Sequence, residues 1–227
     1  RASLPLALLP VGMIASDGPT MTVRLFSRCP IREIRSVGVD ADSHTSVALL
    51  RLILARQFNV RPRITELDIE GRLGAAALAN ASADDLDAVL IIGDKVVTSA
   101  PSAERYGNQI DLGEQWKAMT GLPFVYAVWM CRADQEQEPW VSTAGAVLDR
   151  QRRHNATRLD WIVGARAPLR GWNRERAREY LGSSLQYEIT DRHRAAVEMF
   201  FDLCAQDGLI AERRPTLWTD GAALGAD

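Results

Sequence analysis

"VDADSHTSVALLRLILARQF", Val39 to Phe58, holds the end of a strand, a polar turn and an apolar helix in one short run. Val37 and Val39 alternate as a half-buried strand does, and Val47, Leu50, Ile53 and Leu54 then recur at helical spacing. Between them stand Asp42-Ser43-His44-Thr45-Ser46, short polar side chains of the kind that cap a helix. A strand that feeds a helix through a polar turn is the building unit of α/β proteins. Open sheets of that class bind ligands beyond the carboxyl ends of their strands. The first turn of the helix also carries unpaired N–H groups and a partial positive charge, which suit a carboxylate. The hydroxyls of Thr45 and Ser46 would add donors. Capping alone accounts for the same residues, so the stretch carries both readings.

Outward from it, the runs "ALLP", "TMTVRLFS", "SVGVD", "RITELD", "AVLIIG" and "PFVYAVWM" read as buried strands. Helical patterns at Thr45–Phe58 and Gly113–Met119 fall between them. This alternation predicts an α/β protein with a mainly parallel sheet. From Glu136 to Ile210 the pattern is almost wholly helical, broken at Pro168, Gly171 and Gly182. Extended segments at Thr20–Ser27 and Leu122–Met130 bracket the block Ile34–Gly121, as when a second lobe is inserted into a first. The expected division is residues 1–25 with 122–227 in the first lobe, and 26–121 in the second. The patch "GRLGAAALANASADD", Gly71–Asp85, reads as a small-residue helix or loop, and "TDGAALGAD" as a frayed tail.

Composition narrows the chemistry. A chain of 227 residues with 47% apolar and 25% charged residues buries one large core or two modest ones. Its formal charge of −2 gives no reason to expect nucleic acid or an anionic membrane as partner. The basic run Arg150–His154 lacks aromatic interleaving and reads as a solvated helix face. Cys29, Cys131 and Cys204 form no CxxC pair and the histidines have no ligand spacing, so no metal is expected. Free thiols suit a reducing, cytoplasmic setting. No apolar run nears the roughly 20 residues of a membrane span, and Pro5 and Pro10 break the opening stretch, which reads as core strand. GxSxG, HExxH, P-loop and GxGxxG motifs are all missing from the sequence, which points to a site that mainly binds and orients.

Two further stretches sit at element ends. In "LIIGDKVV", Gly93 and Asp94 follow an apolar strand; Gly93 permits close backbone approach, and Asp94 serves as helix cap or as acceptor of a substrate hydroxyl. In "TGLPFVYAVW", Phe124 opens the return strand and is either a pocket wall or a core aromatic. His44 reads as a surface histidine; His154 and His193 receive no role.

Taken in order, these stretches resemble the menaquinone-biosynthesis family of the futalosine route. The resemblance runs through "IASDGPTMTVRLFSRCPIREIRSVGVD", "SHTSVALLRLIL", "LIIGD", "DLGEQWKAMTGLPFVYAVW" and "REYLGSSLQYEITDRHRAAVEMFFDLCAQDGLI", and so covers almost everything from Val11 to Ile210. It implies a two-lobed, periplasmic-binding-protein-like type II fold with a ligand cleft between lobes and a helical C-terminal region. The chorismate dehydratase branch fits better than its sister, dihydroxynaphthoate synthase, whose strand after "GLP" continues Leu-Pro-Leu-Gly where this chain has Phe-Val-Tyr-Ala-Val-Trp. Two departures stand out. The family's opening strand and Tyr-Leu-Asn-type loop have no match, so Arg1–Pro10 reads as a remnant with residues missing before it and between Pro10 and Val11. The family's Ser-Arg-Thr-Ser is here Ser43-His44-Thr45-Ser46.

The branch implies loss of water from chorismate to give 3-[(1-carboxyvinyl)oxy]benzoate, a lyase reaction without a cofactor. A small dicarboxylate is then the expected partner. Ser43, Thr45 and Ser46, with the helix N–H groups, would take one carboxylate; Gly93 and Asp94 would flank the ring hydroxyl; Phe124 would face the ring. Asp94 is the one candidate for a catalytic role, and a substrate carboxylate could itself accept the ring proton. The sister reaction, or a non-catalytic anion receptor of the same fold, are the alternative readings.

Overall fold

The computed structural model describes residues 5–40, 44–67 and 86–219. The expectations for Arg1–Leu4, Asp42, Ser43, Gly71–Asp85 and the tail beyond Thr219 lie outside these residues.

The chain opens with β1 (Leu6–Ser16), crosses to β2 (Val23–Ser27) and continues through β3 (Ser36–Asp40), α1 (His44–Phe58), β4 (Arg63–Leu67) and β5 (Ala88–Ile92). The short α2 (Lys95–Thr98), β6 (Asn108–Asp111) and α3 (Leu112–Thr120) follow, and β7 (Phe124–Arg132) returns to β1. Strands β4-β3-β5-β2-β6 form one sheet in that order. Strand β5 is apolar along its length because both of its faces are covered. Ala88 and Leu90 join the cluster built on Leu49, Leu50, Leu52, Ile53 and Leu54 of α1. Val89 and Ile91 point the other way, into Phe26, Val96 and Tyr106.

The sheet is mixed, not mainly parallel. Strand β3 runs parallel to β4 and β5, whereas β2 is antiparallel to β5 and β6. The reason is topological: β2 enters from the other sheet and descends between two ascending strands. That other sheet has the order β7-β1-β8, with β1 and β7 antiparallel and the two-residue β8 (Leu217–Trp218) parallel to β1.

Where the resemblance predicts a jump at Pro10–Val11, β1 is bulged. Leu9 faces Trp129 and Met13 faces Val128, so Pro10, Val11 and Gly12 have no cross-strand partners in β7. Gly12 adopts a φ of 154°, which glycine tolerates best.

The helical region comprises α4 (Pro139–Ala156), α5 (Leu159–Arg166), α6 (Arg174–Glu179) and α7 (Asp191–Gln206). Pro168 opens a 3-10 turn that Gly171 ends, and Gly182 lies inside a π-helical turn, Tyr180–Ser184. His193 is a structural residue: its Nδ1 meets the Thr190 hydroxyl at 2.8 Å in a capping box, and its Nε2 meets Gln186 Oε1 at 2.7 Å. Burial lowers its pKa.

Two segments, Asp17–Thr22 and Gly121–Pro123, carry the chain between the sheets, and one carboxylate ties them together. Asp17 accepts from Lys117 Nζ at 2.5 Å and from Arg192 Nη1 at 3.2 Å. Both cations also donate to the Gly121 carbonyl, at 3.0 and 3.1 Å. Burial raises the Asp17 pKa, but the hydrogen bonds and charges of Lys117 and Arg192 outweigh it, leaving a net depression. A carboxyl depressed in the folded state stabilises fully above its unfolded pKa and loses that contribution as pH falls through the folded value. Asp17→Asn is therefore expected to lower the melting temperature by about 2–4 °C at pH 7. The gap should narrow below about pH 4; an equal gap at pH 7 and pH 3 would exclude the ionic contribution.

Candidate functional site

Strand direction decides which residues share an end of the five-stranded sheet. Strands β3 and β5 are parallel neighbours, so the entry to α1 and the turn Gly93–Asp94 both lie beyond their carboxyl ends. Strand β2 is antiparallel to β5, which brings its start, Thr22, to the same end. Gly93 N donates to the Thr22 carbonyl at 2.8 Å. Strand β6 also finishes there, at Asp111, the cap of α3. Two of the three stretches singled out from sequence therefore meet at one sheet end.

His44 is exposed, Thr45 half-buried and Ser46 buried. Among the described residues neither the Thr45 nor the Ser46 hydroxyl is taken up by another group. Gly93 is exposed, at a φ of 68°, and an added Cβ would meet nothing within 4 Å. The space a side chain would fill is therefore open, while the Gly93 N–H is spent on Thr22 and its carbonyl accepts from Val96 N at 3.1 Å.

Asp94 departs from the simple cap. Its side chain makes no capping bond to α2. Instead Oδ1 accepts from Trp172 Nε1 at 2.8 Å, and Oδ2 lies 3.3 Å from Arg170 Nη1. The Trp172 ring stacks on Tyr180 with centroids 5.1 Å apart, and the Tyr180 hydroxyl meets Thr22 Oγ1 at 2.9 Å. Burial raises the Tyr180 pKa, the Thr22 bond opposes this, and the charge of Asp94 adds to it. Tyr180 thus serves as a hydrogen-bond partner of Thr22.

Phe124 stands in the core at 2% exposure, edge-on to Trp116, Tyr126 and Phe200. Thr22, Trp172 and Tyr180 were not singled out from sequence. Thr22 could have been read from the Asp17-Gly18-Pro19 turn that precedes it, whereas Trp172 and Tyr180 carry no local signal. A separate cavity of about 520 Å³ opens between the β1 bulge, Trp129, α4 and the π-helical turn, and none of the expected site residues lines it. Among the described residues no cluster of three His, Cys, Asp or Glu side chains could hold a metal. None of the described helices is long and apolar enough to cross a membrane.

Two sheets linked by paired crossovers, with the candidate groups at the carboxyl end of one, define a periplasmic-binding-protein-like fold. Solved structures agree. A protein from Archaeoglobus fulgidus is similar with a TM-score of 0.64 and 20% identity, over 91% of this chain and 74% of that one. The periplasmic aliphatic sulphonate binding protein of Escherichia coli is similar with a TM-score of 0.53 and 14% identity, over 98% of this chain and 69% of that one. The family model described as menaquinone biosynthesis matches residues 1–206. The chorismate dehydratase of Thermus thermophilus is 30% identical over 209 residues, 86% of this chain and 72% of that protein. The chain belongs to the menaquinone biosynthesis family.

Proposed function

We propose that the chain is a chorismate dehydratase, a lyase acting in the cytoplasm on a small dicarboxylate. The observation that carries this is the family match together with the 30% identity to an enzyme of that name. The geometry is compatible with it. The elimination removes one ring proton and the neighbouring ring hydroxyl, which leave together as water while the ring becomes aromatic. Aromatisation supplies the driving force, so the protein's work is to hold the dianion in a reactive pose and keep solvent out. In this reading Thr45 and Ser46, with Ser43 and the first N–H groups of α1, hold one carboxylate. Gly93, lacking a side chain, leaves room for the leaving hydroxyl, and Phe124 backs the pocket from within the core.

Incubation with chorismate should produce the absorbance of a substituted benzoate. Ser46→Ala should weaken substrate binding by about 1 kcal/mol or more, the worth of a charge-assisted hydrogen bond. Unchanged affinity would leave Ser46 with a packing role, and no aromatic product from the wild-type protein would refute the reading.

A further inference from the structure

The carboxylate of Asp94 is engaged by residues far along the chain, and four observations give that engagement a purpose. The donor, Trp172, is only 7% exposed, so its indole N–H depends on Asp94 for an acceptor. Gly171, at a φ of 72°, brings its backbone so near α2 that an added Cβ would lie 3.1 Å from Thr98 Cγ2. Met21 and Val97 pack against the cluster of Val163, Ala167, Trp172 and Ala177. Tyr180 reaches Thr22 from the same side. Met21, Thr22, Asp94 and Val97 lead into or out of strands of the five-stranded sheet. Helices α5 and α6 are joined through α4 to β1 of the three-stranded sheet. The contact therefore runs from one sheet's elements to the other's, beside the end where the candidate ligand groups lie.

We propose that Asp94 is a positioning residue, neither acid nor base: with Trp172 it forms a latch that holds residues 159–184 closed over the rim of the cleft. Proteins of two parts joined by paired crossovers open and close about those crossovers. A ligand that binds the closed form is held with an apparent affinity reduced by the fraction of protein that is closed. Loss of the latch lowers that fraction and raises KM, while saturating substrate still drives closure and sustains kcat. Loss of an acid or base would lower kcat instead.

The kinetic arm rests on the chorismate reading; the spectroscopic arm does not. Asp94→Ala and Trp172→Phe are each expected to raise KM for chorismate by about fivefold or more with kcat within about twofold. The double variant should be no worse than Asp94→Ala alone, which already removes the indole bond together with the Arg170 contact. Asp94→Asn, which keeps an oxygen acceptor for the indole, should recover most of the loss. Independently, the indole N–H resonance that disappears in Trp172→Phe should shift in Asp94→Ala, and that variant should show a larger radius of gyration in solution scattering. A roughly hundredfold fall in kcat at constant KM in Asp94→Asn would make Asp94 an acid or base. An unshifted indole resonance, or an unchanged KM in Trp172→Phe, would remove the latch. Absence of chorismate turnover in the wild-type protein would defeat the proposed activity, while the resonance and the scattering still decide the latch.

Discussion

Replacing Asp111 by alanine is expected to destabilise the fold by about 3 kcal/mol or more, read as a lower urea midpoint at constant slope. Asp111 is 1% exposed, and its carboxylate gathers four backbone N–H groups. Oδ1 accepts from Thr20 N at 3.0 Å, Gly113 N at 3.0 Å and Glu114 N at 3.2 Å, and Oδ2 accepts from Met21 N at 2.8 Å. Arg24 Nε lies 3.9 Å away. Thr20 and Met21 belong to the crossover and Gly113 and Glu114 to the start of α3, so one side chain both caps a helix and fixes the path between the sheets. Alanine would leave buried donors unpaired and strip the cap, losses of about 1–3 and about 1 kcal/mol by themselves. It would also free Met21, whose φ of 67° a non-glycine residue holds only under constraint. Asp111→Asn keeps one acceptor oxygen and should lose less. A loss below about 1 kcal/mol in the alanine variant would mean that water replaces the carboxylate at little cost.

Phe124→Ala is expected to cost about 3–5 kcal/mol, the range for emptying a buried aromatic site. The ring sits with centroids 4.8 Å from Tyr126, 5.2 Å from Trp116 and 5.2 Å from Phe200, each edge-on. Trp116 is itself held by its Nε1 donating to the Pro123 carbonyl at 2.9 Å, next to the second crossover. A cavity here would loosen the return strand at the point where it re-enters the three-stranded sheet. Phe124→Leu refills part of the volume and should melt only modestly lower. Its affinity for chorismate then separates the two readings of the residue. A leucine variant that keeps its melting temperature and loses affinity would mark Phe124 as a ligand contact.

The elements legible in the sequence are those whose residues repeat with a clear period or form an unbroken apolar run. Helix α1 and strand β5 are of this kind, because each is buried by neighbours on more than one side. Strand β6, "NQID", escaped because it is polar and, among the described residues, pairs with β2 alone, so nothing demands an apolar run. Strand direction was also illegible: an apolar run looks the same read up or down the sheet, and only the crossover at Asp17–Thr22 reverses β2. For the site, Ser46 and Gly93 could be placed at strand ends one by one, but their shared end follows from the parallel pairing of β3 with β5. The Asp94–Trp172 bond joins residues 78 apart, and no spacing rule within either stretch announces it.

Strand β7 has β1 on one side and, among the described residues, no strand on the other. Its sequence "FVYAVWMCR" reaches a charged side chain only at Arg132, and that charge is already matched by Asp134 at 2.5 Å. Trp129 and Met130 are 52% and 50% exposed near the same end. A margin with no neighbouring strand and with exposed apolar side chains is the kind another extended chain can pair with. Self-association in concentrated stocks is the hazard that follows, and a lysine set into β7 at Ala127 is the natural gatekeeper against it.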